Sequence, residues 1–330
     1  MPRTALVNWI DSSADWKTPS DWAPHIVPNN TLTKVFEVFL NRSGSYTVTI
    51  SPGEAFKVDS LHIKDPTANL LIQSGALGVA KGVINDGRIL LDGNSALMVG
   101  GGFTNSSGAA VDLYTNSSDD GGKLSIAGTL ANSGNVQAGP SDLTLCSPTT
   151  VSLGGLTNAS GANFQLFGSA GHAAIANVTG ATENSGTIGV TEGRMTFIGA
   201  LTGTGTSNTL DIGNAGSVTL DNGATMGTMV DFLARSPSLT GLLDLQKPLS
   251  FLGTIGGFGF GGSDDRIDLL NTMATSESFH GNASCSRGVL DVMNGFTGTT
   301  VAKLHFAGCY VTSNFSLSSD GHGGTLIGFV

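Results

Sequence analysis

The stretch Asn158-Ala159-Ser160-Gly161-Ala162-Asn163-Phe164-Gln165-Leu166 decides the fold. It opens on a small polar turn, after which apolar Phe164 and Leu166 alternate with polar residues. Such alternation puts the apolar side chains on one face of a strand. The same signal recurs at Asn85-Asp86-Gly87, Asn105-Ser106-Ser107-Gly108, Asn132-Ser133-Gly134 and Asn184-Ser185-Gly186. The five asparagines stand 20, 27, 26 and 26 residues apart. A sustained period of this size marks a solenoid, in which one repeat cannot bury its apolar face without its neighbours. Ile89 and Leu91, Val136, and Ile188 and Val190 follow the turns, and a second short strand comes later at Leu97 and Val99, Leu143 and Leu145, or Met195 and Phe197. Two or three short strands per repeat suit a coil of a β-helix. Asparagine tolerates left-handed backbone and bonds nearby peptide groups, so stacked turns predict an amide ladder along the coils.

The composition agrees. Glycine accounts for 48 of 330 residues, about twice average usage. Charged residues make up 12%, about half the usual share. Hydrophobic residues reach 39% and recur with a period, which excludes a disordered chain. A net charge of −10 without a basic stripe argues against nucleic acid as a partner. No apolar run is long enough to span a bilayer. The start Met1-Pro2-Arg3-Thr4 leads to Trp9 and Asp11, not to the apolar core of a signal peptide.

Three segments are expected. Residues 1–42 hold Trp9, Trp16 and Trp22, and prolines at 19, 24 and 28 break the segment. We read it as an aromatic cap over the first coil, because large aromatics are mostly buried. A sugar-stacking platform on the three indoles is the sharper alternative. Residues 43–223 carry the regular repeats, starting from the clean alternation of Tyr46, Val48 and Ile50. Residues 224–330 are expected to form final coils and a C-terminal cap, with a short helix over Thr225–Arg235 as an alternative for that piece.

Few groups invite chemistry. From Gly121 to Thr182 the only Asp, Glu, Lys or Arg residues are Lys123 and Asp142, too few for the carboxylate pair of a glycosidase. Asp86, Arg88 and Asp92 lie in the first repeat, and Glu183, Glu192 and Arg194 in the last. Solvated turn residues are the simpler reading of both groups, with Glu183 and Glu192 the foremost catalytic candidates. The six histidines are scattered and none has zinc-site spacing. Cys146 reads as a small strand residue; Cys285 and Cys309 are expected as free thiols, because sequence does not show the approach of backbones a disulfide needs, with a pairing across C-terminal strands in an oxidising compartment as the alternative.

Gly261-Gly262-Ser263-Asp264-Asp265-Arg266-Ile267-Asp268-Leu269 resembles a worn copy of the calcium nonapeptide of repeats-in-toxin proteins. That resemblance would make Asp264, Asp265 and Asp268 ligands. Ser263 replaces a glycine and no second copy follows, so one unit falls short of the six to eight oxygens calcium takes. A strand entry is expected here instead, with no cofactor. Finally, the tryptophan pattern, the strand Tyr46-Thr47-Val48-Thr49-Ile50, the Asn-Ser-Gly repeats and the tail from Asn314 to Ile327 resemble repetitive bacterial surface proteins of the adhesin and autotransporter-passenger kind. The resemblance implies an all-β, right-handed parallel β-helix in an extracellular or cell-surface setting. The expected partners are glycans or other surface proteins. The tail also resembles those of proteins secreted in one step. A stalk spacing an unseen binding domain is an alternative role. β-Helices also host pectate lyases, polygalacturonases and tailspike depolymerases, which makes a polysaccharide-active enzyme the rival.

Overall fold

The computed structural model describes residues 2–114, 121–141, 145–233 and 240–330. Asp142, Leu143 and Arg235 lie outside them. The protein is an all-β solenoid with parallel sheets, and it divides into two compact units, Met1–Ala176 and Asn177–Val330.

In the first unit one sheet stacks the parallel strands Arg3–Trp9, Lys34–Leu40, Ala55–Ile63 and Ala76–Asn85. The other stacks Tyr46–Ile50, Ala68–Gln73, Arg88–Asp92, Ala110–Leu113, Asn135–Ala138 and Asn163–Phe167. The chain alternates between the sheets, so each coil contributes to both. Tyr46, Val48 and Ile50 point inward at 1%, 0% and 0% exposure, as their alternation requires. Burying each such side chain stabilises the fold by about 1.5–3 kcal/mol. The strands of the first sheet bend midway, with register shifts between Val58 and Ser60 and between Ile126 and Thr129. Backbones come very close at this bend. A Cβ on Gly101 would lie 1.6 Å from the Lys81 carbonyl oxygen, so only glycine fits.

The beginning of the chain is already coil. Trp9 sits in the first parallel strand and pairs antiparallel with Trp22. Residues 1–42 thus give the first unit two parallel strands, Arg3–Trp9 and Lys34–Leu40, and three buried indoles.

In the second unit Arg194–Phe197, Ser217–Leu220, Leu242–Leu245 and Arg266–Leu269 stack in parallel. Thr187–Thr191, Thr209–Ile212, Met229–Phe232 and Thr254–Gly256 form the facing stack. Met229–Phe232 is a strand, so a helix does not form over the described part of Thr225–Arg235. Val230 and Phe232 are buried, and period-two alternation decides the element.

The parallel order ends in antiparallel strands. Thr325–Phe329 pairs antiparallel with Arg266–Leu269 and folds back on Phe315–Ser319. Thr299–Ala307 joins Thr254–Gly256 and carries Arg287–Asn294 and Ser276–Gly281 antiparallel beside it. These strands take up sheet edges that would otherwise recruit other chains. Phe258, Phe279, Phe306, Tyr310, Phe315 and Phe329 pack beneath them, with the Tyr310 hydroxyl donating to the Phe258 carbonyl at 3.0 Å.

Two cysteine expectations change. Cys285 and Cys309 form a disulfide, with Cα atoms 4.6 Å apart. Arg287 pairs with Ala307 in the antiparallel register, and the cysteines extend that pairing by two residues on each strand. Cys146 is exposed and lies in a bend, not in a strand. Among the described residues no helix is long and apolar enough to cross a membrane.

Candidate functional site

The repeated asparagines turn inward. Asn85, Asn105, Asn132 and Asn158 are 0–1% exposed. Nδ2 of Asn85 donates to Oδ1 of Asn105 at 2.9 Å, Asn105 to Asn132 at 2.8 Å, and Asn132 to Asn158 at 2.9 Å. The same amides donate to the carbonyls of Ala110, Asn135 and Asn163. The Oδ1 atoms of Asn85 and Asn132 accept from Gly87 N and Gly134 N, both at 3.2 Å. The ladder therefore consumes its own hydrogen-bonding capacity in the interior and offers none to a ligand. In the second unit Asn184 repeats the local motif, accepting from Gly186 N and donating to the Thr209 carbonyl. Gly203 occupies the next position, where a Cβ would lie 2.5 Å from Asn208 Oδ1.

The three tryptophans come together, but as interior side chains at 1%, 0% and 0% exposure. Trp22 contacts Trp9 and Trp16 edge to face, and Trp16 lies against Phe56. Their indole N–H groups donate to the carbonyls of Ser12, Pro28 and Trp16. No indole face is left open to a sugar ring.

Glu183 projects outward from the strand Thr182–Asn184, and Glu192 occupies the turn after Thr187–Thr191. The five-residue strand between them extends over about 17 Å. Glu192 accepts from Asn214 Nδ2 at 3.2 Å. The structure does not bring these two carboxylates together.

The three aspartates of the degenerate nonapeptide also go separate ways. Asp264 pairs with Arg266 at 2.8 Å. Asp265 is fully buried and accepts from Ser263 Oγ, Gly241 N and Gly259 N, although burial still pushes its carboxyl upward. Asp268 lies on the outward side of Arg266–Leu269. Among the described residues no group of three or more His, Cys, Asp or Glu side chains converges as metal ligands do.

Register reveals neighbours that counting along the chain does not. In the second unit Asp244 sits directly opposite Asp268 on adjacent coils, and Asp211 opposite Asp231. Burial, then the charges of Asp320 and Asp244, pushes the Asp268 carboxyl up to about 6, opposed by His322. Asp244 is also raised, by burial, against the Thr219 hydroxyl that donates to it at 3.0 Å. Burial and the Asp231 charge raise Asp211, which a Thr209 hydrogen bond offsets in part.

On the first unit the outward face is different. Arg88 Nε reaches Asp112 one coil on, at 2.6 Å, and not Asp86 or Asp92 beside it. Asn135 stands opposite Asn163, and Gln137 opposite Gln165. Asn163 Nδ2 donates to Asn135 Oδ1 at 3.0 Å, and Gln137 Nε2 donates to the Gly139 carbonyl at 3.0 Å. Phe167 continues the outward row of Asn163 and Gln165. Together these side chains line a shallow groove of about 440 Å³. No protein-family model matches this sequence, and no curated protein matches it.

Proposed function

We propose that this protein is a non-enzymatic, extracellular or cell-surface solenoid with an adhesive or structural role. The observation that carries this reading is the outward face of the first unit, where Asn135–Asn163 and Gln137–Gln165 stand in register across coils. Amides make directional hydrogen bonds but do not exchange protons near neutral pH, so such a face suits holding a ligand and not turning it over. The Cys285–Cys309 disulfide supports an oxidising compartment. The resemblance to adhesins and autotransporter passengers points the same way. A glycan array run beside a reducing-sugar release assay tests the reading. Binding without release is expected, and Glu183→Gln/Glu192→Gln is expected to leave binding intact. Release of oligosaccharide from any polysaccharide in the panel would sink it.

One observation favours the enzyme as a second reading. Asp244 and Asp268 stand side by side on adjacent parallel strands, and the charge of Asp244 acts on the Asp268 carboxyl, as in a pair of carboxyl groups that share one site. Asp268, held up to about 6, is suited to act as a general acid. Under this reading Asp268→Asn abolishes sugar release. If release occurs and survives that substitution, the pair is not the catalytic machinery.

A further inference from the structure

We infer that the groove on the first unit, floored by Gln137 and Gln165 and ended by Phe167, is a binding site for a neutral polysaccharide chain. The inference rests on the adhesive reading and gives it a place and a ligand class. Sugar hydroxyls both donate and accept, and side-chain amides answer both roles within one planar group. Here the amides come in pairs on successive coils, Asn135 with Asn163 and Gln137 with Gln165, about 4.8 Å apart in the strand-pairing direction. A polymer laid across these two coils meets the same amide chemistry on both, and on the preceding coil it meets Ala110 and Asp112 at the matching positions.

The groove is also partly preorganised. The Asn163–Asn135 bond fixes one pair of amides, and the bond to Gly139 orients Gln137 with Oε1 turned away from that contact. The Gln165 amide has no hydrogen-bond partner among the described residues, so it is available to a ligand. Phe167 is half-buried and offers a ring at the end of the row, as a platform for the C–H face of a pyranose. The groove volume falls within the range of small-ligand clefts.

Charge decides the class of polymer. The ionised groups lining the groove, Arg88 and Asp112, neutralise one another at 2.6 Å. Among the described residues an acidic polysaccharide finds no uncompensated cation there, and it meets a chain of net charge −10. A neutral chain pays neither penalty.

Affinity electrophoresis of the full chain tests this, in native gels cast with a mixed-linkage β-glucan, a galactomannan, dextran, or the acidic polymers polygalacturonate and alginate. Retardation by at least one neutral polymer and by neither acidic one is expected. Gln137→Ala/Gln165→Ala weakens the retardation about tenfold, the loss expected from two hydrogen bonds, and Phe167→Ala weakens it independently. Glu183→Gln, on another strand, leaves it unchanged. Circular dichroism melts confirm folding, and if Phe167→Ala unfolds, Gln165→Ala alone decides. No retardation by any neutral polymer overturns the site, as does a preference for the acidic ones. Wild-type retardation in the groove variants overturns it too, while leaving adhesion by another surface intact. Release of reducing ends from a retarding polymer instead overturns the non-enzymatic reading.

Discussion

Asn132 shows how much one side chain does in this fold. It accepts from Asn105 Nδ2 and Gly134 N, and it donates to Asn158 Oδ1 and the Asn163 carbonyl, at 1% exposure. Asn132→Ala strands two donors and two acceptors in the interior. The expected loss is about 2–4 kcal/mol, read as a lower urea midpoint. Asn132→Asp keeps the acceptor, loses both donations and buries a charge, so it destabilises at least as much at neutral pH. Asp268 works in the opposite sense. Its carboxyl is raised from 3.8 to about 6 in the folded protein, chiefly by burial. Between those values the folded state holds more protons than the unfolded one, so stability falls as pH rises from about 4 to 6. Above that window the penalty is fully present. Asp268→Asn is therefore expected to raise Tm at pH 7–8, by about 2 °C once solvent screening of a part-exposed group is allowed for. At pH 4 it should leave Tm unchanged. A Tm gain that is equal at both pH values would refute this. At this scale the asparagines were legible, because turn chemistry is local. The partnership of Arg88 with Asp112 was not, nor that of Asp244 with Asp268. Each spans a coil, and coil lengths of 20, 27 and 26 residues prevent counting from one to the next.

At the scale of elements, the coil is the unit that must be kept whole. Asn132 aligns with Asn158, and Leu124 with Val151, so removing Asn132–Thr157 brings Asn158 into the place of Asn132 and rejoins both sheets in register. The shortened chain is expected to keep a β-sheet circular dichroism spectrum and a cooperative melt, since nearest-neighbour stacking is preserved. Removing half that length sends strands to the wrong sheet or the wrong face and is expected to abolish the melt. Equal unfolding of both deletions would contradict the register. Strands such as Tyr46–Ile50 and Thr187–Thr191 could be read from alternation alone. The antiparallel strands Ser276–Gly281 and Arg287–Asn294 could not be told from coil strands, because alternation is blind to strand direction. The disulfide stood only as the less favoured alternative for the same reason: it is that direction which brings Cys285 opposite Cys309.

At the scale of the molecule, composition spoke to what surrounds the fold more than to the fold itself. Low charge and abundant glycine allow backbones to stack closely, as at Gly101, while the aromatic residues gather where stacking must stop. The asparagine ladder carries a consequence for how such a gene changes length. Its rungs join although 20, 27 and 26 residues separate them, so coil phase is reset at every asparagine and does not accumulate along the chain. Unequal crossing-over between any two of these asparagine codons joins one coil start to another. The recombinant gains or loses whole coils and stays in phase, whatever their lengths. The amide spine thus marks where whole coils can be added or removed in phase, so that length can vary without a new fold having to be found.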